Sequence, residues 1–259
     1  MIYLIYLITG FFAGIMGGLL GTGGCALIMP VIRFGFHFDP AIAVGTTLTA
    51  VVFTAASGAY QHIKMKNVDK DSAKIVGISG ILGVIIGSIV FGFLKDYGKV
   101  IDMILGVAFL VVSLRMIYEG FLSRGSKNSA IGNRLPGTKV NKSILGSVIG
   151  FLTGIIGLGG GYALVPSFIY FFKAPVKLAI GTSMASFVWL ALVGAIFKIY
   201  QHAVNIPVAI VLGIGALVGA IYGAKLVAKF KSNTLKALFG LLFLYVSLKY
   251  ILIYWDIHI

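Results

Sequence analysis

Two stretches of the 259-residue chain combine residue types that could hold an ion: Gly21–Pro30 reads GTGGCALIMP and Gly157–Pro166 reads GLGGGYALVP. Adjacent glycines weaken a helix. A helix broken inside apolar sequence leaves backbone N–H groups that are tolerated only in a protein interior or beside a polar cavity. Where a new helix starts after such a break, its free N–H groups and positive dipole end suit an anion. The backbone of Gly23, Gly24, Gly159, Gly160 and Gly161, with Thr22 between the first glycines, is therefore a candidate anion site. A second pair of segments adds hydroxyls: Thr46 and Thr47 in GTTLTAVVF, from Gly45, and Thr182 and Ser183 in GTSMASFVW, from Gly181. Such groups recognise oxyanion oxygens without adding permanent charge. Their competing role is packing or back-bonding to the i−4 carbonyl. For glycines at four-residue spacing, such as Gly10, Gly14 and Gly18, close helix packing is the favoured reading.

The chemistry that is missing narrows the ligand. All seven acids (Asp39, Asp69, Asp71, Asp96, Asp102, Glu119 and Asp256) fall in loops or near the ends of apolar runs. Cation pathways and proton relays use acids buried in the membrane, so a cationic substrate is disfavoured. No cluster of metal ligands and no nucleophile–base set is present, so neither a metal site, a cofactor nor an enzyme is expected. The single cysteine, Cys25, excludes an intramolecular disulfide and reads as a small packing residue. His62 and His202 stand at the ends of their spans and could gate or carry protons; hydrogen bonding to a loop is the plainer role.

These residues sit in membrane sequence. The chain is 59% hydrophobic and 11% charged, with a mean hydropathy of +1.04. A soluble domain of this size needs far more polar surface. Runs such as Val76–Leu94 and Ala203–Leu217 are, with their flanks, long enough to cross as helices, and the alternating pattern of a β-barrel is not seen. The N-terminal run MIYLIYLITGFFAG has no basic region before it and reads as a first helix. The net charge of +14 reads as orienting loop lysines facing anionic lipid, not as a nucleic-acid surface.

The chain also repeats. Gly23–Gly24, Pro30, Gly45, Gly58, Gly83 and Gly87 recur 136 residues later as Gly159–Gly160, Pro166, Gly181, Gly194, Gly219 and Gly223. FLVVSLRMIY (Phe109–Tyr118) resembles FLYVSLKYIL (Phe243–Leu252), and Gln61-His62 pairs with Gln201-His202 if four residues are inserted. The expected organisation is an N-terminal half, 1–122, a polar linker, 123–142, and a C-terminal half, 143–259. Each half holds one long glycine-broken segment (2–36 and 143–172) and three ordinary spans (41–61, 73–94 and 100–120; 178–200, 206–228 and 234–255). The broken segment could be one tilted helix, two short helices or a re-entrant hairpin. Letting it enter and return puts 16 of the 21 Lys and Arg on one side, whereas a simple crossing leaves the charges almost unpolarised. The positive-inside rule prefers the first arrangement. The linker is then cytoplasmic, both termini are outside, and the halves are inverted, as in many secondary transporters. The fold expected is thus an all-α polytopic membrane protein of two inverted repeats.

With these motifs in view, the chain resembles the sulfite exporter TauE/SafE family of membrane transporters. The resemblance is carried by GIMGGLLGTGGCALIMP, AVGTTLTAVVFTAASGAYQHIKMKNVD, GIIGLGGGYALVP and AIGTSMASFVW, which lie in both halves. It implies transport across the cell membrane of a sulfur-containing anion such as sulfite, sulfoacetate or another organosulfonate. It also implies coupling to an ion gradient, with proton or sodium as candidate ions. The residues alone reach only a small anion, with the bilayer and a homodimer as further partners. A passive anion channel, a membrane-embedded enzyme and an assembly subunit are the alternatives. Thr22 and Cys25 stand where the second glycine cluster has Leu158 and Gly161, so the two half-sites need not be equivalent.

Overall fold

The computed structural model describes residues 2–118, 134–230 and 232–254. The described residues form ten α-helices: α1 Ile2–Leu20, α2 Cys25–Pro30, α3 Pro40–Lys64, α4 Lys70–Leu94, α5 Gly98–Ile117, α6 Lys139–Ile156, α7 Gly161–Tyr170, α8 Val176–Tyr200, α9 Ile206–Leu226 and α10 Ser232–Tyr254. A π-helical turn, Val31–Gly35, extends α2. Six of these helices (α1, α3, α4, α6, α8 and α9) are long and apolar enough to cross a membrane. The order of elements in α1–α5 recurs in α6–α10. Most of the predicted linker, up to Asn133, lies outside the described residues. Its end is helical from Lys139, earlier than expected, because the Thr138 side chain accepts from Asn141 N–H at 3.2 Å and caps α6.

Glycine stripes fix the helix pairs. A Cβ at Gly10, Gly14 or Gly18 of α1 would strike the backbone of Leu212, Ala216 or Ala220 in α9. From the other side, Gly215, Gly219 and Gly223 lie on Leu7, Phe11 and Ile15. The same contact recurs 136 residues away, where Gly146, Gly150 and Gly154 of α6 meet Val76, Gly80 and Val84 of α4. The first helix of each half thus packs on a helix of the other half, and only backbones without side chains between them approach so closely. The α5–α10 pair closes the bundle through the Phe109, Phe243 and Tyr250 rings.

Both glycine-broken segments are hairpins. After Gly21–Gly24 the chain turns back, so that Gly24 lies on Ala13 and Gly17, and the Phe36 ring reaches Tyr6 at 4.6 Å. After Gly157–Gly160, α7 returns along α6, placing the Phe172 ring on Gly137, just before α6 begins. The first hairpin opens at the bundle end that holds the contacts Pro40–Gly98, Gly45–Ala203 and Gly92–Gln201. The second opens at the end that holds Asn67–Gly181 and Leu135–Asp69.

Candidate site at the hairpin tips

The tips meet in the interior. A Cβ on Gly161 would strike the Gly21 carbonyl and the Thr22 backbone. Gly23 and Gly159, with φ of 72° and 65°, flank one ring, Phe187 of α8. Any side chain at either position would collide with that ring. Thr22 is fully buried and its hydroxyl accepts from Gly24 N–H at 3.3 Å, while Cys25 Sγ donates to the Thr22 carbonyl at 3.1 Å. The Gly24 carbonyl accepts from Leu27 and Ile28, and the Gly160 carbonyl from Ala163 and Leu164. Cys25, Ala26, Gly161 and Tyr162 supply the first-turn N–H groups of the returning helices, which have no partners within their own helix.

The hydroxyls of α3 and α8 divide into two pairs. Ser183 Oγ donates to the Gly21 carbonyl at 2.8 Å, within the tips. Thr47, at the equivalent position, is fully buried, and its hydroxyl has no partner among the described residues. It lies one turn beyond Val44, which packs on Gly157. Thr46 and Thr182 do different work. The Thr46 hydroxyl accepts from Asn205 N–H at 2.9 Å, and the Thr182 hydroxyl accepts from Asp69 N–H at 3.0 Å. Each ties a turn of one half to a helix of the other. The predicted residues Thr22, Gly23, Gly24, Gly159, Gly160, Gly161 and Ser183 thus gather at the tips, Thr47 stands one turn from the Val44–Gly157 contact, and Thr46 and Thr182 bond to the turns that open α9 and α4.

The histidines are not equivalent to each other. The turns after α3 and α8 superpose at the plain 136-residue offset, without an insertion. Lys66 and His202 take φ of 59° and 56°, and their N–H groups bond to Ile63 and Ile199. His202 is therefore the exposed counterpart of Lys66. His62 is buried, and its Nε2 donates to the Gly18 carbonyl at 3.0 Å; Nδ1 has no partner among the described residues. Its counterpart is Lys198, fully buried on α8, whose Nζ donates to the Gly154 carbonyl at 2.6 Å. Lys198 reads as a loop-proximal charge in the sequence. The signal that reveals it is the constant offset, which carries Gly18 onto Gly154 and His62 onto Lys198 together.

At the basic end, Asp69 caps α4 and organises a buried knot. Its carboxylate accepts from Ser72 Oγ at 2.6 Å, Leu135 N–H at 2.7 Å and Ser72 N–H at 3.2 Å. Lys142 Nζ donates to Ser72 Oγ and to the Leu135 carbonyl, both at 2.7 Å. Burial pushes the Asp69 carboxyl up, but the Ser72 and Leu135 hydrogen bonds and the Lys142 charge more than offset it and hold the group below its ordinary value. At the other end Arg33 pairs with Asp102 at 2.8 Å and donates to the Phe38 carbonyl. No group of three metal-ligating side chains is assembled among the described residues. No carboxylate lies against the tips among the described residues, whose neighbours there are glycine backbone, Thr22 and the Phe187 ring.

Two hairpins meeting inside a bundle of apolar helices define a multi-pass membrane protein. The chain belongs to the sulfite exporter TauE/SafE family, whose model matches residues 6–250. It is 27% identical to the probable membrane transporter protein YunE of Bacillus subtilis, over 91% of this chain and 92% of that one. A probable membrane transporter protein of Methanocaldococcus jannaschii is 26% identical, over 89% and 88% of the two chains. One from Xylella fastidiosa is 27% identical, over 93% and 91%. No solved structure matches. The family and the names of these relatives mark the chain as a membrane transporter.

Proposed function

We propose that the chain is a secondary carrier, not an enzyme, that moves a small sulfur-containing oxyanion, sulfite or an organosulfonate, across the cell membrane by alternating access. The observation that carries this reading is the meeting of two acid-free glycine tips around one aromatic ring, with the unpartnered Thr47 hydroxyl beside them. The anion would be held by the backbone of Gly23, Gly24, Gly159, Gly160 and Gly161 and by the Thr22, Thr47 and Ser183 hydroxyls. Thr46 and Thr182 would set the turns that pivot around it. Because Phe187 fills the space between the tips, the ring must move for an anion to bind, which is the behaviour of a carrier's occluded state.

In this reading the halves 1–122 and 143–259 are inverted repeats, supported by hairpins that open at opposite ends. The end holding Asn67 and Leu135 is cytoplasmic, since the basic loops gather there, and both termini are outside. Burial of Lys198 sharpens that bias, leaving Arg33, Lys95, Lys99 and Lys249 for the outer end. A proton or sodium ion supplies the coupling, and a homodimer is the proposed assembly.

Uptake of radiolabelled sulfite into proteoliposomes tests the reading. Flux should saturate, show counterflow, and fall about tenfold or more in Thr47→Val and Gly160→Leu. Unchanged flux in both variants would remove the tip site, and unsaturable flux without counterflow would make the protein a channel. The orientation is tested separately with a cysteine placed between 123 and 142. A membrane-impermeant maleimide should label it only after the cells are opened, Cys25 being buried.

A further inference from the structure

Lys198 is a buried basic side chain that the tip site does not use. An ammonium has three N–H donors. One meets the Gly154 carbonyl at 2.6 Å, and Nζ rests 3.1 Å from the centroid of the Phe91 ring. No carboxylate among the described residues stands within ion-pair distance of it. The sequences of α6 and α8 contain no acid, and the one acid of α4, Asp71, is in that helix's first turn, far from Phe91. A carbonyl and a ring ease an ammonium in the membrane interior without neutralising it, and a buried intramembrane charge marks a functional site by default. Ser88 adjoins the same place, with its backbone packed on Gly154. The Ser88 side chain is fully buried with no partner for its hydroxyl among the described residues. Gln201 Nε2 donates to the Ser88 carbonyl at 2.7 Å and braces it. At the positions related to these by the 136-residue offset stand Ala224 for Ser88, Met65 for Gln201 and Val227 for Phe91. The lysine amine and the free hydroxyl belong to one side only.

We propose that Lys198 and the Ser88 hydroxyl form an oxyanion subsite between the hairpin tips and the bundle end that holds the N-terminus, where the anion takes over the ammonium from the Gly154 carbonyl. This rests on the anion-carrier reading and adds to it the countercharge that the tips lack. One sulfite or sulfonate oxygen would accept from Nζ and a second from Ser88 Oγ. The subsite makes the protein sided, with a cationic position toward one face and His62 toward the other.

Labelled sulfite uptake and sulfite-dependent thermal stabilisation in detergent, measured on wild type, Lys198→Met, Lys198→Gln and Lys198→Arg, test the subsite. The KM for sulfite should rise about tenfold or more in the Met and Gln variants and stay within about threefold in the Arg variant. Sulfite should raise the melting temperature of the wild-type and Arg proteins only. The glutamine amide can still donate to a carbonyl, so it separates loss of charge from loss of the α6 cap, and it carries the test if the Met variant does not fold. A Met or Gln variant with KM and thermal shift within twofold of wild type would overturn the proposal, as would an Arg variant as impaired as Met. A wild-type protein that moves no sulfite and no organosulfonate would bring down the carrier reading itself.

Discussion

His62 and Lys198 occupy one position in two copies of the same framework. Each stands near the end of the third helix of its half, and each donates to the carbonyl of the glycine three residues before its hairpin tip begins. One is an imidazole with a ring nitrogen that has no partner among the described residues; the other is a lysine amine beside a ring, with an unpartnered hydroxyl close by. The hydrogen bond to the glycine carbonyl is alike at the two positions and the side chain that makes it is not. A repeat supplies matched scaffolding for both faces of a transporter. In the proposed carrier, substitutions at a few buried positions would decide which face attracts the ion.

The sharpest way to break this comparison lies at the tips. Gly24 is left-handed, with φ of 80°, and a Cβ there would lie 2.5 Å from the Ala13 carbonyl oxygen; its counterpart Gly160 is right-handed, with side-chain neighbours at 3.1 Å or more. Gly24→Ala should cost about 3 kcal/mol of stability and Gly160→Ala under about 1 kcal/mol, read from denaturation in detergent. Equal losses would mean that the tips are interchangeable.

A smaller contrast separates the bundle ends. Asp69→Asn removes charge-assisted bonds to Ser72 and Leu135 and should cost about 2 kcal/mol at neutral pH. Asn205→Ala, which loses only a cap to Val208, should cost about 1 kcal/mol. The folded Asp69 titrates below the ordinary 3.8. Its contribution is therefore complete above that value and is lost as the pH falls through 3.8 toward the depressed value. Wild type should lose more stability across that acid window than Asp69→Asn. An identical acid profile would show that the knot carries no charge-dependent stability.

The smallest effects compare Ser183 with Thr47. Ser183→Ala should cost about 1 kcal/mol, because it leaves the Gly21 carbonyl without its donor. Thr47→Val, which removes an unpartnered hydroxyl, should be neutral or slightly stabilising while flux falls. A clear loss of stability in Thr47→Val would place that hydroxyl in the scaffold instead of the site.

The glycines made most of this fold legible. Their offset marks the repeat, and their four-residue spacing marks the α1–α9 and α4–α6 contacts, because close backbone approach demands glycine at each crossing point. The return of the broken segments was legible in the basic loops, which polarise only if both segments are hairpins. The half-to-half exchange of partners was not, since nothing in the spacing of Gly14 says whether its carbonyl neighbour is Ala216 or a residue nearby in the chain. Lys198 was hidden by a closer likeness: the dipeptides Gln61-His62 and Gln201-His202 invite an insertion, and local identity outweighed the register that the turns keep. The hydrogen bonds that draw Thr46 and Thr182 to the bundle ends were equally invisible, because a threonine that holds a turn and one that holds an anion look alike in sequence.

Packing of α1 against α9 also bears on how the protein is made. The stripe of Gly10, Gly14 and Gly18 is synthesised about 200 residues before its neighbours Leu212, Ala216 and Ala220. At about 5–20 residues per second that interval is roughly 10–40 s. Throughout it α1 stands in the bilayer with an uncovered seam, open to any helix with a matching row of small residues. α9 can pack there only if that seam is still vacant when α9 is made.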